Sequence, residues 1–355
     1  MKKILRDNKG SISALVVISV LLYSIVLTTA FMKASGKRRI QIQSQILAKE
    51  TYEKQLDNLD EIRDEINGGS SGYVKKNTEV TYPDGKVWIP EGFRISKDSA
   101  STVQGGVVIE DKDLNQFVWV PVATLADYKR TWYTGVSTLS KYSEALPEDE
   151  RASVDAYKGF YIGRYEAGDK ESTGTTKATF RTSSSDTSNS VTIKADQVPY
   201  SCVTRTKAVS LAEGFATKQG YKAKTKLVSS YAWDTTIAFI EKTVNNYGSS
   251  SSQGNYSNTS VTYKDITDES KPEKTKAENS PLLVATGQTT PVCNIYDMGG
   301  NVLEWTTESC SYKFSPYAMR GGDGSGKFAH DAAGYRINNP GDAYGNVGFR
   351  LTLFM

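Results

Sequence analysis

Three short motifs near the C-terminus decide the fold: NIYDMGGNVLEWT at residues 294–306, RGG at residues 320–322 and NVGFRL at residues 346–351. In the first motif, Asp297 and Glu304 bracket a Gly-Gly-Asn sequence that is typical of a tight turn. Such a turn can direct both carboxylates and several backbone carbonyls toward one point, and calcium needs hard oxygen ligands of this kind. The alternative is a structural turn, in which Asn301 caps the chain and Glu304 pairs with an arginine such as Arg350.

The three motifs, in this order and spacing, resemble the formylglycine-generating enzyme or sulfatase-modifying factor family, whose fold is a variant of the C-type lectin fold. The resemblance extends from Trp88 to the C-terminus, with weaker matches at residues 159–166 and 227–234. It implies an α+β domain with a structural calcium ion. The implied calcium ligands are the side chains of Asp297 and Glu304 and the backbone carbonyls of Gly300 and Val302.

The resemblance also bears on catalysis. Family members that make formylglycine bind copper(I) through two cysteines that follow the Arg-Gly-Gly segment, because copper(I) prefers soft thiolates. This chain has Gly326 and Asp331 at the corresponding positions. The iron-dependent relatives need three histidines, and His330 is the single histidine here. We therefore expect no copper, no iron and no catalytic residue; the alternative is an oxidoreductase of this family with unrecognised ligands.

Residues 323–344 correspond to the face on which the family binds substrate. Their mixture of aromatic, amide, acidic and glycine residues is similar to that of antibody paratopes. We predict that this face binds a glycan, peptide or surface protein; the alternative is an ordinary solvated loop region. A further hypothesis is that the stretch is diversified, as in the variable proteins of diversity-generating retroelements. The candidate ligand-binding residues are Asp323, Ser325, Lys327, Phe328, His330, Asp331, Tyr335, Asn338, Asn339 and Tyr344.

Composition limits the remaining possibilities. The formal net charge is +3 over 355 residues, so bulk charge does not favour a nucleic-acid partner. Cys202, Cys293 and Cys310 lack zinc-type spacing, and three cysteines are an odd number for a disulfide framework. One disulfide or none is compatible with the sequence.

The N-terminus predicts a membrane anchor. Residues 1–11 form a basic leader, and residues 12–32 carry no charge until the next lysine. If residues 12–32 form an α-helix, at about 1.5 Å per residue it spans roughly 31 Å, which matches the thickness of the hydrocarbon core of a bilayer. A cleaved secretory signal would have a shorter apolar region, of about 7–15 residues. We expect a single-pass protein whose polar, tyrosine-rich C-terminal domain lies outside the cytoplasm, although basic residues flank both ends of the span.

An amphipathic stalk helix is predicted over residues 33–66, where apolar residues recur at three- and four-residue steps. A linker over residues 67–80 then leads to the domain at residues 81–355. The leader, span and stalk resemble a type IV pilin N-terminus, which implies cleavage after Gly10 and helical or pilus self-assembly through residues 37–66. Pilins usually have glutamate at the fifth position after cleavage, whereas this chain has Leu15. A plain anchored stalk is therefore the favoured interpretation.

Within the domain, short apolar runs between turn residues predict strands at residues 87–90, 107–109, 117–121 and 159–166. Helices are predicted at residues 204–216 and 229–244, and exposed low-complexity loops at residues 171–190 and 248–260. Trp305 and Phe349 are predicted core residues. Arg320 and Arg350 are predicted to be buried beside backbone or carboxylate partners, because a buried charge needs one.

Overall fold

The computed structural model describes residues 72–133, 141–170, 189–264, 273–324 and 332–355. Tyr73–Met355 form one unit of structure, separate from Met1–Gly72. The predicted leader, membrane span and stalk lie outside the described residues, as do residues 67–71 of the predicted linker. Within the described ranges, no helix is long and apolar enough to cross a bilayer.

The domain mixes short strands with three α-helices in the described ranges, which confirms the predicted α+β class. Its first half contains β1 (Thr78–Tyr82), β2 (Gly85–Ile89), β3 (Arg94–Ile95), β4 (Val108–Glu110), β5 (Gln116–Pro121), β6 (Tyr142–Ser143), α1 (Glu148–Tyr157), β7 (Gly159–Gly163), β8 (Gly168–Asp169), β9 (Val191–Thr192) and α2 (Arg205–Gln219). Its second half contains β10 (Lys224–Leu227), α3 (Ser230–Glu241), β11 (Val261–Lys264), β12 (Glu273–Lys276), β13 (Leu303–Cys310), β14 (Tyr317–Arg320), β15 (Arg336–Asn339), β16 (Val347–Phe349) and β17 (Leu351–Phe354).

Two larger sheets organise the domain. The six-stranded sheet has the order β10-β17-β7-β5-β4-β3 and is antiparallel throughout. The other sheet has the order β15-β14-β13-β16, with β6 also paired to β13. Within it, β13 and β16 run parallel. Arg350 is the single residue between β16 and β17, so the chain crosses from one sheet to the other at this residue.

Both predicted helices are present, and capping residues explain where they begin. The side chain of Thr204 accepts a hydrogen bond from the backbone of Lys207 at the start of α2. Helix α2 ends before Gly220, whose φ of 75° suits glycine best. The side chain of Ser229 accepts a hydrogen bond from the backbone of Ala232 and so caps α3.

The buried apolar residues form two main clusters. Trp305 and Phe349 belong to the first, as predicted, together with Trp119 from β5. Trp233 of α3 lies in the second, with residues on the other face of β5 and β7, such as Val118 and Ile162. Each cluster contains residues from distant parts of the chain, which is consistent with Tyr73–Met355 forming one compact unit.

Two expectations need revision. The predicted exposed loop at residues 248–260 is partly interior, since Asn255 and Tyr256 are fully buried. Asn255 is buried because its side chain donates to the carbonyl of Leu282 at 2.8 Å, and its own carbonyl accepts from Asn301. The domain also starts earlier than residue 81, because β1 lies partly within the predicted linker. Most of the other predicted loop, residues 171–188, lies outside the described ranges.

Candidate functional site

The turn between Asp297 and Glu304 has the tight geometry that its glycines predict. Gly300 has a φ of 84°, and Asp297 and Asn301 also adopt left-handed backbone conformations, at 54° and 60°. The Asn301 amide donates to Glu166 at 2.7 Å, and its side-chain oxygen accepts from the backbone of Val284 at 2.9 Å. Asn301 therefore stabilises the turn from inside, as the structural alternative proposed.

Glu304 is paired with Arg350, and both side chains are fully buried. Nη2 of Arg350 donates to Glu304 at 2.8 Å, and its Nε lies 3.1 Å from both carboxylate oxygens. The other guanidinium contacts are the carbonyls of Gly163, Tyr296 and Asp297. Both carboxylate oxygens of Glu304 are thus engaged by Arg350.

Two further carboxylates lie near this pair and leave an excess of buried negative charge. Burial raises the pKa of Glu166 well above its usual range, and Asp297 and Glu304 raise it further. Burial also raises the pKa of Asp297 to about 6. Three buried carboxylates share the single guanidinium of Arg350, so at neutral pH the cluster favours either protonation or a bound cation.

The predicted calcium ligands fit a cation in part. Oδ2 of Asp297 is buried and accepts no hydrogen bond from the residues that the structure describes, while Oδ1 accepts one from Thr289 at 2.6 Å. Glu304, in contrast, would have to leave Arg350 to become a ligand. Among the described residues, no three acidic, histidine or cysteine side chains are grouped to hold a metal ion. Oδ2 of Asp297 is thus the described atom that suits a cation, and the carbonyls of Gly300 and Val302 stay predicted ligands.

The described part of the predicted ligand face is built on β15, an edge strand. Tyr335 and Asn338 are half-buried, and Tyr344 in the following turn is 44% exposed. The turn is held against α2, since the backbone of Arg205 donates to the carbonyl of Gly341 at 3.1 Å. Tyr344 is therefore exposed on a fixed backbone, and Tyr335 and Asn338 are partly accessible beside it.

Two other candidate ligand-binding residues have internal roles instead. Asp323 is fully buried and accepts a hydrogen bond from Asn346 at 2.9 Å. Asn339 is also buried, and its side chain accepts from the backbone of Gly341 at 2.8 Å. The prediction that they contact a ligand directly is therefore revised: they shape the loops of the face. Ser325, Lys327, Phe328, His330 and Asp331 lie outside the described residues.

A buried network of ion pairs lies beneath the predicted ligand face. Asp234 of α3 accepts from Arg320 and from Arg336, each at 2.5 Å. Glu308 of β13 accepts from Nε of Arg336 at 2.8 Å and also pairs with Arg130. Because these residues come from α3, β13, β14 and β15, the network ties the edge strand to the rest of the domain.

Both ends of the segment 325–331 are fixed to the interior. On one side, the backbone of Gly324 donates to the carbonyl of Asn301 at 2.9 Å. On the other side, Ala333 is fully buried, and its carbonyl accepts from the indole of Trp233 at 2.8 Å. The positions that correspond to the family's copper cysteines, Gly326 and Asp331, belong to this segment.

The three cysteines are buried, and no disulfide joins any two of them. Burial raises the pKa of the Cys293 thiol, and its sulfur lies 3.3 Å from the hydroxyl of Thr243. Burial likewise raises the pKa of Cys310. Because a thiol with a raised pKa stays protonated at neutral pH, it is a poor nucleophile and a poor metal ligand.

These features agree with a comparison against protein families. The model described as "Sulfatase-modifying factor enzyme 1-like domain" matches residues 60–353. The chain belongs to this family. The sulfatase-modifying-factor domain thus accounts for nearly all of the unit Tyr73–Met355, and the resemblance drawn from the three motifs is confirmed. A comparison with curated proteins found no match.

Several solved structures are similar to this sulfatase-modifying-factor domain. A crystal structure of CarF is 16% identical and has a TM-score of 0.35, over 61% of this chain and 95% of that chain. PvdO from Pseudomonas aeruginosa is 18% identical with a TM-score of 0.38, over 70% of this chain and 98% of that one. Treponema denticola variable protein 1 is 12% identical with a TM-score of 0.37, over 68% and 96%.

Sequence reasoning missed several residues that build this site. Glu166 was predicted only as the end of a strand, although a glutamate after an apolar strand is a candidate buried acid. Asp234 and Glu308 were also missed, since their partners Arg320 and Arg336 are distant in sequence. An acid within an otherwise apolar helix, as in YAWDTTIAFI at residues 231–240, is the signal that could have identified Asp234.

Proposed function

We propose that this chain is a membrane-anchored, non-catalytic recognition module whose lectin-like domain binds an extracellular ligand through residues 323–344. The observation that carries the proposal is the construction of this face. Tyr344 is exposed, and Tyr335 and Asn338 are half-buried, at the edge strand β15 and its flanking residues, whose buried side chains are fixed by ion pairs and hydrogen bonds. The thiolates that copper chemistry needs are replaced by Gly326 and Asp331.

A glycan is the ligand class that these side chains favour. An exposed tyrosine ring offers a flat apolar surface with a polar edge, and amide groups donate and accept hydrogen bonds at once. Tyr344 and Asn338 provide this combination. Peptide and protein ligands use the same side chains, so they are outcomes that the test must separate.

The test is binding of labelled residues 73–355 to a glycan array and, in parallel, to a phage-displayed peptide library. We expect glycan binding that falls about tenfold or more in Tyr344→Ala and Asn338→Ala. Lys86→Ala, on the exposed side of β2, is the matched control and should bind normally. Binding of library peptides alone would assign the face to peptides. Glycan binding that neither face variant weakens would overturn the proposed face.

The second candidate function is an oxidoreductase of the family. It would require metal ligands among residues that the motifs do not identify. Incubation of the protein with copper and a cysteine-containing, sulfatase-type peptide distinguishes the two candidate functions. A formylglycine product is an aldehyde, which can be trapped and detected by mass spectrometry. We expect no aldehyde. Its formation, with loss in a Cys202→Ser, Cys293→Ser or Cys310→Ser variant, would replace the recognition proposal.

The anchor and its orientation are part of the proposal, and a minor pilin that displays the domain is the alternative. The uncharged stretch at residues 12–32 supports the anchor, and the residues around Gly10 support the pilin. N-terminal sequencing separates them, since pilin processing would give a chain that begins at Ser11. Protease treatment of intact cells tests localisation: an extracytoplasmic domain is cleaved, and a cytoplasmic one is protected.

A further inference from the structure

The hairpin between β13 and β14 ends in a β-turn with an unusual composition. The backbone of Ser315 donates to the carbonyl of Tyr312 at 3.1 Å, which places Lys313 and Phe314 at the two central positions. Phe314 is 82% exposed and Tyr312 is 43% exposed. Glycine, asparagine, aspartate and proline are the residues that usually occupy such positions, so the turn itself gives no reason for a phenylalanine.

The tip is held rigidly. The backbone of Cys310 donates to the carbonyl of Pro316, and the backbone of Ser311 donates to the carbonyl of Lys141, both at 2.7 Å. These bonds close the hairpin below the turn and fasten it to Lys141, the residue directly before β6. Phe314 is therefore presented at a fixed place, although it contributes little to the core.

Lysines accompany both aromatic rings. Nζ of Lys141 lies 3.9 Å from the centre of the Tyr312 ring and also contacts its hydroxyl. Nζ of Lys313 lies 5.6 Å from the centre of the Phe314 ring. The two ammonium groups give the tip a positive charge, which is complementary to an anionic surface.

The size of the tip also argues against a stable protein partner. A standard protein interface buries about 800 Å² on each side. One phenylalanine buries roughly 150–250 Å². A single projecting aromatic side chain with basic neighbours is, in contrast, what a peripheral contact with a bilayer needs. The ring enters the interface, while the lysine ammonium groups stay at the level of the lipid phosphates.

We propose that the turn at residues 312–315 docks on an anionic membrane surface, with Phe314 inserted between headgroups and Lys141 and Lys313 paired with phosphates. This contact is separate from the predicted span at residues 12–32 and does not depend on it. It would fix the orientation of the domain on a bilayer and so the direction in which the ligand face points.

The test uses residues 73–355, which form one compact unit and lack the predicted span. Co-sedimentation with vesicles of phosphatidylglycerol and phosphatidylcholine measures the partition coefficient. We expect binding that increases with phosphatidylglycerol, and a decrease of about tenfold in Phe314→Ser, because the ring leaves water when it inserts. Lys141→Ser with Lys313→Ser should abolish the dependence on phosphatidylglycerol.

Ile95→Ser is the matched control, since Ile95 is an exposed apolar residue on β3. It should bind vesicles normally. Thermal unfolding of each variant checks the fold, and Phe314→Ser should be unaffected because its side chain is exposed. Equal vesicle binding by wild type and Phe314→Ser, or no binding by wild type, would overturn the proposal. Loss of glycan-array binding in Phe314→Ser without any vesicle effect would also overturn it, and would assign the tip to the ligand face.

Discussion

Arg350 and Glu304 form a buried ion pair at the point where the chain passes between the two larger sheets. Glu304 lies on β13, opposite Gly348 of β16, and Arg350 follows β16 directly. The guanidinium also donates to the carbonyl of Gly163 on β7 at 2.9 Å. One side chain thus makes hydrogen bonds to both sheets, so the pair joins the two halves of the domain.

Loss of one partner of this pair should be severe. Arg350→Met leaves the Glu304 carboxylate buried without its cation, and such changes cost about 3–5 kcal/mol. Guanidinium unfolding of residues 73–355 measures the loss. The double variant Glu304→Gln with Arg350→Met removes both charges. Its loss in free energy of unfolding should be clearly smaller than the sum of the losses in the two single variants. Additive losses would show that the two side chains do not interact.

Asp297 should make stability depend on pH. Its folded pKa of about 6 lies above the ordinary value of 3.8, so the folded state holds this proton more tightly. In the metal-free protein, the stabilising contribution of this proton is therefore fully present below about pH 4, is lost as pH rises to about 6, and changes no further above that. Asp297→Asn should make the decline shallower, as measured by thermal unfolding in EGTA between pH 4 and 7.5. An unchanged slope would contradict the assignment.

Calcium should counteract the loss of stability that follows deprotonation of Asp297. At neutral pH a cation at Asp297 replaces the missing proton, and a concentration of 100 Kd stabilises a protein by about 2.7 kcal/mol. We expect calcium to raise the melting temperature of the wild type and to have little effect on Asp297→Asn. Glu304→Gln is the informative comparison, because Arg350 already occupies that carboxylate. Full loss of calcium stabilisation in Glu304→Gln would show that the ion pair opens to bind the metal.

Two glycines should respond to alanine in opposite directions. Gly106 has a φ of 94°, and a Cβ there would lie 2.0 Å from the carbonyl oxygen of Cys293. Gly106→Ala should therefore cost about 3 kcal/mol or more through strain and overpacking. Gly214 lies within α2, where a Cβ meets nothing within 4 Å, so Gly214→Ala should stabilise by about 0.5–1 kcal/mol. Denaturant unfolding of both variants checks the contrast, and a loss in Gly214→Ala would contradict it.

The indole of Trp233 should hold one end of the ligand face. Trp233→Phe keeps most of the apolar volume but leaves the carbonyl of Ala333 without its donor, at a cost of about 1–3 kcal/mol. Hydrogen exchange should increase at residues 332–336 more than at β5. Trp305→Phe is the control, since that indole donates to Val203 instead. Faster hydrogen exchange at residues 332–336 in Trp305→Phe as well would show that loss of either indole destabilises the domain as a whole.

The sequence predicts those features that depend on local patterns. Helix α2 has a threonine cap and a terminal glycine, and the turn after Asp297 has its glycines, so both follow from a few neighbouring residues. The burial of Trp305 and Arg350 also follows from residue type. Helix α1 was missed because its segment is strongly polar and its capping position is Pro147, which gives no side-chain cap.

The remaining features depend on contacts between distant residues. Asp234 and Arg336 are 102 positions apart, and no local pattern pairs them. The buried state of Asn255 likewise requires the turn at Asn301, which follows it by 46 positions. The candidate ligand residues follow from the family resemblance, which gives the stretch, and from composition, which gives the residue types. Composition does not separate Tyr344, which is exposed, from Asp323, which is buried.

The fixed ends of the segment 325–331 make it a natural place for protein engineering. Gly324 and Ala333 are each held by hydrogen bonds to residues outside the segment, at Asn301 and Trp233. The domain would hold both ends of a foreign peptide inserted between them. The entropic cost of bringing the two ends of that peptide together would therefore be smaller. This domain can therefore serve as a display frame in which length and sequence are varied without redesign of the core.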